Sequence, residues 1–598
     1  MQLHAAPRCV RARALTFFAA LLLCAPPVVA RATVSLNSTD LTAAGDWLLV
    51  RWNVSQPQPS DFLALVPADV APPLTTSAFS ANWSPLKLLP TYGTAAGNHS
   101  FYMLNWRTPV RWLLLRGGLL SPRVLARSEA VTWQLPNEPT GIHLSPTGVP
   151  TEMRVQWTTH NESAPYAFWR VEGGPGLASR AAATTSVLRR SSLCGDAAVS
   201  WKPTRPHELS SNATGMGWFD PGAQHTAVLT GLPPGERIAY FLGNESGPLS
   251  PEMSFMVPPA PGAASTLRFA AVADFGVADI DGSNWDGSGF VAPLVELSMR
   301  GWDNRPAKDT LARLIDEVDE GASLVLLNGD ISYARGFSPI WEAFMHALSS
   351  SPGVASRAGL LTTIGNHESC WPGSTASAWN TSSLDSGGEC GVAYAHRFIM
   401  PPPASLASPW YSYTSGPVHF VHLSTEHDLS YDSPQLSWLR TDLAARQRAG
   451  VPWVIVSAHR FFYISSSTPN RDAASGRALL AGGLEDIFLQ YGVDLTLTGH
   501  HHSYQRTCHV YAGSCVPLRP DGSAAAPAHI VAGHAGAGLS GVSNVSIIME
   551  RIVLEHGYLR GVANATHLVI TSRRSTDGGL LDELVLFKPQ HGPPMRAA

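Results

Sequence analysis

A chain of 598 residues is too long for a single hydrophobic core, so two to four domains are expected. Hydrophobic residues make up 44% of it and charged residues 14%, which excludes a disordered or fibrous chain. The formal net charge is −4 and no basic block is present, so nothing stands ready to neutralise a phosphate backbone and nucleic acid is not an expected partner.

Residues 1–32 have the order of an export signal. Arg8, Arg11 and Arg13 precede an apolar run from Ala14 to Leu23, and the small residues Ala30 and Ala32 mark cleavage positions. No later stretch reaches the roughly 20 apolar residues of a spanning helix. The mature chain is therefore expected to be secreted, to an extracellular site or through the secretory pathway to a vacuole. Asn37, Asn53, Asn82, Asn98, Asn161, Asn212, Asn244, Asn380, Asn544 and Asn564 each open an N-x-S/T triplet and are expected to carry glycans on surfaces and loops. Of the seven cysteines, Cys9 and Cys24 leave with the signal. Local pairing joins Cys370 to Cys390 and Cys508 to Cys515, leaving Cys194 free or intermolecular.

Residues 33–136 and 137–260 read as two blocks of short β-runs punctuated by Pro, Gly and Asn, the pattern of β-sandwiches. The Pro-rich stretch from Val257 to Gly262 reads as a linker. From 265 to 542 short apolar runs alternate with helical patterns, which is α/β architecture. Leu311, Leu314, Ile315 and Val318 recur at helical spacing, and Ser433-Pro434 reads as an N-cap and first helical residue ahead of Leu436, Leu439 and Leu443. Residues 543–590 read as further strands closing onto that domain. No internal repeat is present.

The buried-strand runs end in a repeated way. Leu267–Val272 leads to Asp274, Leu324–Leu327 to Asp330 and Tyr333, and Leu360–Ile364 to Asn366-His367-Glu368. Trp453–Val456 leads to His459, and Val493–Leu497 to His500-His501-His502. Loops after the carboxyl ends of strands converge on one crevice in an α/β sheet. Two carboxylates and a phenolate suit a hard, highly charged cation, and imidazoles suit borderline divalent ions. Two ions about 3.5–4 Å apart clamp a phosphoryl group and acidify water, and Asp330 is the natural bridge between them.

Each motif alone is more often an ordinary turn or a solvated run; their order, each after an apolar strand, carries the signal. Around them, His501 is expected to turn away, and His419, His422 and His427 read as packing or surface residues. Glu368 reads as orienting the loop around His367, and Arg460 as either a phosphate contact or a support of the His459 loop.

The ordered set D-x-G, G-D-x-x-Y, G-N-H-E, V-x-x-H and G-H-x-H resembles the purple acid phosphatases, in their larger plant-type form. The likeness extends to the sequence around Gly217–Gly222, Ser386–Val392, Gly416–Phe420 and Tyr504–Cys508, and so over essentially the whole mature chain. The resemblance implies fibronectin type III-like β-domains followed by a four-layer α/β/β/α metallophosphoesterase domain. It implies a ferric ion held by Asp274, Asp330, Tyr333 and His502, and a divalent zinc, iron or manganese held by Asp330, Asn366, His459 and His500. His367 is then the catalytic residue that contacts the phosphate or assists the leaving group, and a metal-bound hydroxide attacks a phosphate monoester in line, at acid pH. Two departures stand out: Ala273 where the family usually has Gly, and no histidine from Arg460 to Arg471, where some relatives place substrate-binding ones. Alternatives at the same site are a nucleotide pyrophosphatase/phosphodiesterase and a non-catalytic glycoprotein binding module. The sequence carries no signal for oligomeric state.

Overall fold

The computed structural model describes residues 31–69, 86–117, 122–174, 179–194, 218–277, 280–283, 306–350, 352–370, 385–449 and 451–589. Residues 1–30 of the expected signal, Asn82, Asn212, Asn380 and the stretch 371–384 lie outside them.

Alternation builds the first sandwich. In Asp46–Val54, Leu48, Val50, Trp52 and Val54 are buried while Trp47, Arg51 and Asn53 face solvent. This strand pairs with Ala32–Leu36 and Ala96–Met103, and a five-stranded sheet around Val110–Arg116 accompanies it. Trp52, Phe101, Trp106, Trp112 and Trp133 share one core. In the second sandwich Thr140–Pro146, Met153–Thr159 and Ala223–Leu229 belong to one sheet, and Pro165–Val171 and Arg237–Asn244 to the other. Trp157, Trp169, Tyr240 and Leu242 form its core.

The next unit begins with three parallel strands, β1 (Leu267–Val272), β2 (Leu324–Asn328) and β3 (Gly359–Thr363). A second sheet holds β4 (Tyr411–Ser415), β5 (Val418–His422), β6 (Trp453–Ser457), β7 (Leu495–Thr498), β8 (Tyr504–Tyr511) and β9 (Ala528–Ala532). The C-terminal strands β10 (Gly557–Ala563), β11 (His567–Arg574) and β12 (Leu580–Phe587) extend the first sheet, with β10 antiparallel to β1.

Near-continuous apolar strands are what burial on both faces demands. Phe269 and Phe420 meet edge to face at 5.2 Å between the sheets. Trp453 and Ile455 belong to that inner core. Val454 and Val456 turn outward, to pack with Leu436, Leu439 and Leu443 of α3 (Pro434–Ala449) and Phe488 of α4 (Leu484–Tyr491). Beyond the first sheet lie α1 (Ala307–Asp319) and α2 (Ser338–Ser349), through Leu314, Val318, Trp341 and Phe344. The layers are therefore helix, sheet, sheet, helix. Ser433 Oγ accepts the Leu436 N–H at 3.2 Å, the cap that starts α3 at Pro434.

The sandwiches are joined to this unit rather than tethered to it. Leu144 pairs with Gly359, which makes one ten-stranded sheet across the junction. Glu342 of α2 takes Arg107 at 2.9 Å and Arg397 at 3.2 Å, and Asp281 takes the buried Lys87. Removing one partner of such a buried pair leaves the other charge uncompensated.

The disulfide expectation holds for Cys508–Cys515 and fails for Cys370–Cys390. Cys390 is bonded to Cys194, with Cα atoms 5.5 Å apart. Leu188 and Leu193 are buried in the core of the two-sheet unit, which delivers Cys194 to Cys390 across 196 residues of sequence. Cys370 is buried as a thiol that donates to Glu426 Oε2 at 3.3 Å. Proximity in sequence misled because the packing of the Leu188–Cys194 segment, not chain distance, sets the pairing.

Of the expected glycan positions, Asn37, Asn53, Asn98, Asn161, Asn544 and Asn564 are exposed, and Asn244 is half-buried with its amide donating to Glu162 at 3.1 Å.

His422 is stacked on Tyr411 at 4.6 Å, and neither ring nitrogen finds a hydrogen-bond partner. Burial pushes it down to about 3, and likewise His529 to about 3 and His534 to about 4. With folded pKa values depressed, the unfolded chain binds more protons below about pH 6.5, so these residues lose folding stability as pH falls from there toward 4. Denaturant melts across that range are expected to show this decline, and His422→Phe to flatten it by up to about 1.4 kcal/mol per pH unit.

Candidate metal centre

The loops that follow β1, β2, β3, β6 and β7 meet at one end of the two sheets. To turn their side chains inward, Asp274, Asp330, Tyr333 and His500 adopt left-handed backbone, with φ of 55°, 48°, 52° and 68°. Such conformations cost about 1–3 kcal/mol each in a non-glycine residue and persist only where surrounding contacts impose them. Gly329 and Gly365 make room for the arrangement: a Cβ on Gly329 falls onto the His459 ring, and one on Gly365 onto the Asp330 carboxylate.

The seven candidate ligands fall into two groups. In the first, Tyr333 Oη lies 3.0 Å from Asp274 Oδ1 and 3.0 Å from His502 Nε2, and His502 Nε2 lies 3.3 Å from Asp274 Oδ1. In the second, His459 Nε2 lies 2.9 Å from Asn366 Oδ1 and 3.3 Å from Asp330 Oδ1. One ligand atom each from Asp330, His459 and His500 lie within 4.8 Å of one another.

These spacings fit cations. Donor atoms about 2.0–2.2 Å from an ion sit roughly 3 Å from each other along the edges of an octahedron. The orientations fit as well. His459 Nδ1 meets the Asn328 carbonyl at 3.1 Å and His502 Nδ1 the Gly538 carbonyl at 2.7 Å. In each ring the Nδ1 proton is thereby assigned, and an Nε2 lone pair points at carboxylate and amide oxygens. Only positive charge reconciles acceptors that converge in this way.

Electrostatics report the same demand. Burial alone lowers His459, but Asp330 overrides it and pushes the ring up to about 10. Burial alone raises Asp330, but His459 and His367 hold it well below the usual carboxylate range. Burial, with Asp274 and Asp330 beside it, pushes the Tyr333 phenol well above its ordinary value. A bound cation inverts that logic and favours a phenolate.

His367 enters from the short helical turn Asn366–Ser369. Its Nδ1 meets the Asp385 carbonyl at 3.0 Å, and its Nε2 lies 3.8 Å from Asp330 Oδ2. Asn366 Nδ2 donates to Asp385 Oδ2 at 3.0 Å, which turns the amide oxygen toward His459. Glu368 accepts the main-chain N–H groups of Asp330, Ile331 and Gly365 at 3.0, 2.8 and 2.8 Å, so it ties the β2 and β3 loops together, as expected of it. His501 turns away to Ser503 Oγ at 2.8 Å. His419 is taken by Asp442 at 2.8 Å and Thr414 at 2.7 Å.

Two contributors escaped the sequence reading. Asp385 follows no apolar strand run, so the pattern that marked the other positions gave no signal for it. Glu426 is buried and holds Arg460 through two bonds of 2.7 and 3.0 Å. It follows β5 as Asp274 follows β1, so the strand-end pattern was the signal that could have found it.

Glu368→Gln places an amide N–H₂ against main-chain N–H donors. We expect a loss of about 1–3 kcal/mol in denaturant stability, with bound metal lost in parallel. Unchanged stability and metal content contradict the tie.

Comparison with known proteins adds to the geometry. Residues 139–257 match the family model described as purple acid phosphatase, N-terminal domain, and residues 267–504 the one described as calcineurin-like phosphoesterase. The chain is 30% identical to probable inactive purple acid phosphatase 1 of Arabidopsis thaliana, over 93% of this chain and 90% of that one. It is 29% identical to a nucleotide pyrophosphatase/phosphodiesterase of Hordeum vulgare, over 56% of this chain and 87% of that one. The solved structure of the purple acid phosphatase PPD1 from yellow lupin seeds superposes with a TM-score of 0.81 at 25% identity, covering 95% of this chain and all of that one. The chain belongs to the purple acid phosphatase family, whose members use a binuclear metal centre.

Proposed function

We propose that this chain is a secreted acid phosphatase that hydrolyses phosphate monoesters. It acts at a site where Asp274, Asp330, Tyr333 and His502 hold a ferric ion, and Asp330, Asn366, His459 and His500 hold divalent zinc, iron or manganese. One observation carries the reading: donors of the right chemistry stand 2.9–3.3 Å apart in two adjoining groups, beside a histidine that belongs to neither. Bound there, the ions polarise the phosphoryl group and lower the pKa of water, further for a ferric ion than for zinc, which places activity at acid pH.

The chain's own residues do the rest. Asp330 lies 3.3 Å from His459 and 3.8 Å from His367, and its charge is also felt by Tyr333 and His502 of the other group, so it would offset positive charge at both positions. His367, oriented through Nδ1 by the Asp385 carbonyl, directs Nε2 into the site, where it contacts the phosphate and hands a proton to the departing oxygen. His500, His502 and Arg460 are only partly buried and mark the open side, from which the ester enters. Secretion rests on the signal-like order of residues 1–32, on the two disulfides and on the exposed sequons.

A second reading is favoured by the barley relative's name: the same centre acts on nucleotide pyrophosphate or diester bonds. The Arabidopsis relative's name brings in a third, a non-catalytic glycoprotein. Turnover of an aryl phosphate monoester and of the matching diester at about pH 5 separates them. We expect the monoester to be preferred, and His367→Ala to cost about 10²–10⁴ in kcat. A diester preference selects the second reading, and no turnover of either by metal-loaded protein the third.

A further inference from the structure

The three histidines of the centre are not held alike. His459 and His502 give Nδ1 to main-chain carbonyls and keep Nε2 for the centre. His500 Nε2 instead lies 3.1 Å from Arg460 Nη1. A guanidinium has only donors and keeps its proton, so Nε2 must be the acceptor, and the neutral ring then carries its one proton on Nδ1. In that state neither nitrogen of His500 offers a lone pair to a cation.

Arg460 is not free to leave at no cost. Its Nε and Nη2 donate to the two oxygens of the fully buried Glu426, and its main-chain N–H donates to Thr425 Oγ1 at 2.9 Å. The His500 ring is flanked by Phe461 and His459, with centroids 5.8 and 5.1 Å away. Its main-chain N–H is fixed on Asp274 Oδ2 at 2.7 Å.

We propose that Arg460 competes with the divalent ion for His500, and that the Arg460–Glu426 pair thereby sets the affinity of the divalent position. This rests on the reading of His500 as a divalent ligand. Binding of the ion moves Arg460 Nη1 off the ring, and Glu426 lowers the cost by drawing the guanidinium to itself. Arg460 is thus a positioning residue whose charge governs loading.

The test uses the full-length, iron-loaded protein and zinc alone as the probe, with affinity measured by chelator competition. The double variant Arg460→Gln, Glu426→Gln removes both charges and is expected to bind zinc roughly 10–100-fold more tightly. Arg460→Lys keeps a charge for Glu426 with no second arm to reach His500, and is expected to tighten binding in the same direction. Glu426→Gln leaves the guanidinium on His500 and is expected to weaken binding about tenfold. A purely structural role predicts weakening in all three, and failure of both Arg460 variants to tighten zinc overturns the proposal. His500→Ala separates the two levels: unchanged zinc affinity there removes the ligand reading itself, whereas weakened affinity with no tightening in the Arg460 variants removes only the competition.

Discussion

Buried lone pairs that face one another are the constraint on which this molecule is built. Asp274, Asp330 and Asn366 turn oxygens toward imidazole nitrogens whose own protons are committed to the Asn328 and Gly538 carbonyls. Without positive charge such an arrangement repels itself in a low-dielectric interior. Burial lowers both rings, yet the carboxylates of Asp330 and Asp274 override it and push His459 and His502 up, which is the same demand for positive charge. The scaffold must therefore hold donors together that would otherwise separate.

It does so with rigid parts. The parallel strands end together, so their loops need only a sharp turn to face inward, and four left-handed residues supply those turns. Glu368 fastens the β2 and β3 loops through three main-chain bonds, and α3 and α4 back the strand that carries His459. The sandwiches contribute at a distance. Lys87 and the Tyr102 N–H hold Asp281, in the segment that leaves β1 after Asp274. Arg107 holds α2 through Glu342. The β-domains are thus part of the support of the centre, by the same ionic contacts that fix their own position.

Much of this was legible in the sequence, for a physical reason. A strand buried on both faces must be apolar, so a polar ligand can stand only where the strand ends, and the alternation of apolar run and Asp, Asn or His marks each position. Period-2 alternation in Asp46–Val54 and helical spacing from Leu311 to Val318 announced elements in the same local way. What escaped depends on packing between distant segments. Cys194 pairs with Cys390 because Leu188 and Leu193 dock in another unit's core, which no spacing rule contains. Arg460 was readable as a charge near the site, but its commitment to Glu426 and His500 comes from three loops meeting. Tautomers, which decide whether a histidine can act as a ligand, belong to the hydrogen bonds of the fold and not to the order of residues.

The central claim is that opposed donors at Asp274, Asp330, Tyr333 and their imidazole partners exist to hold two unlike cations. Metal content and the visible absorption spectrum of the purified protein, alongside Tyr333→Phe, test it most directly. The account predicts about two ions per chain, iron among them, with a broad visible charge-transfer band that disappears in Tyr333→Phe. An active protein with no iron and no such band contradicts the ferric assignment, and a folded protein that binds no metal contradicts the account as a whole.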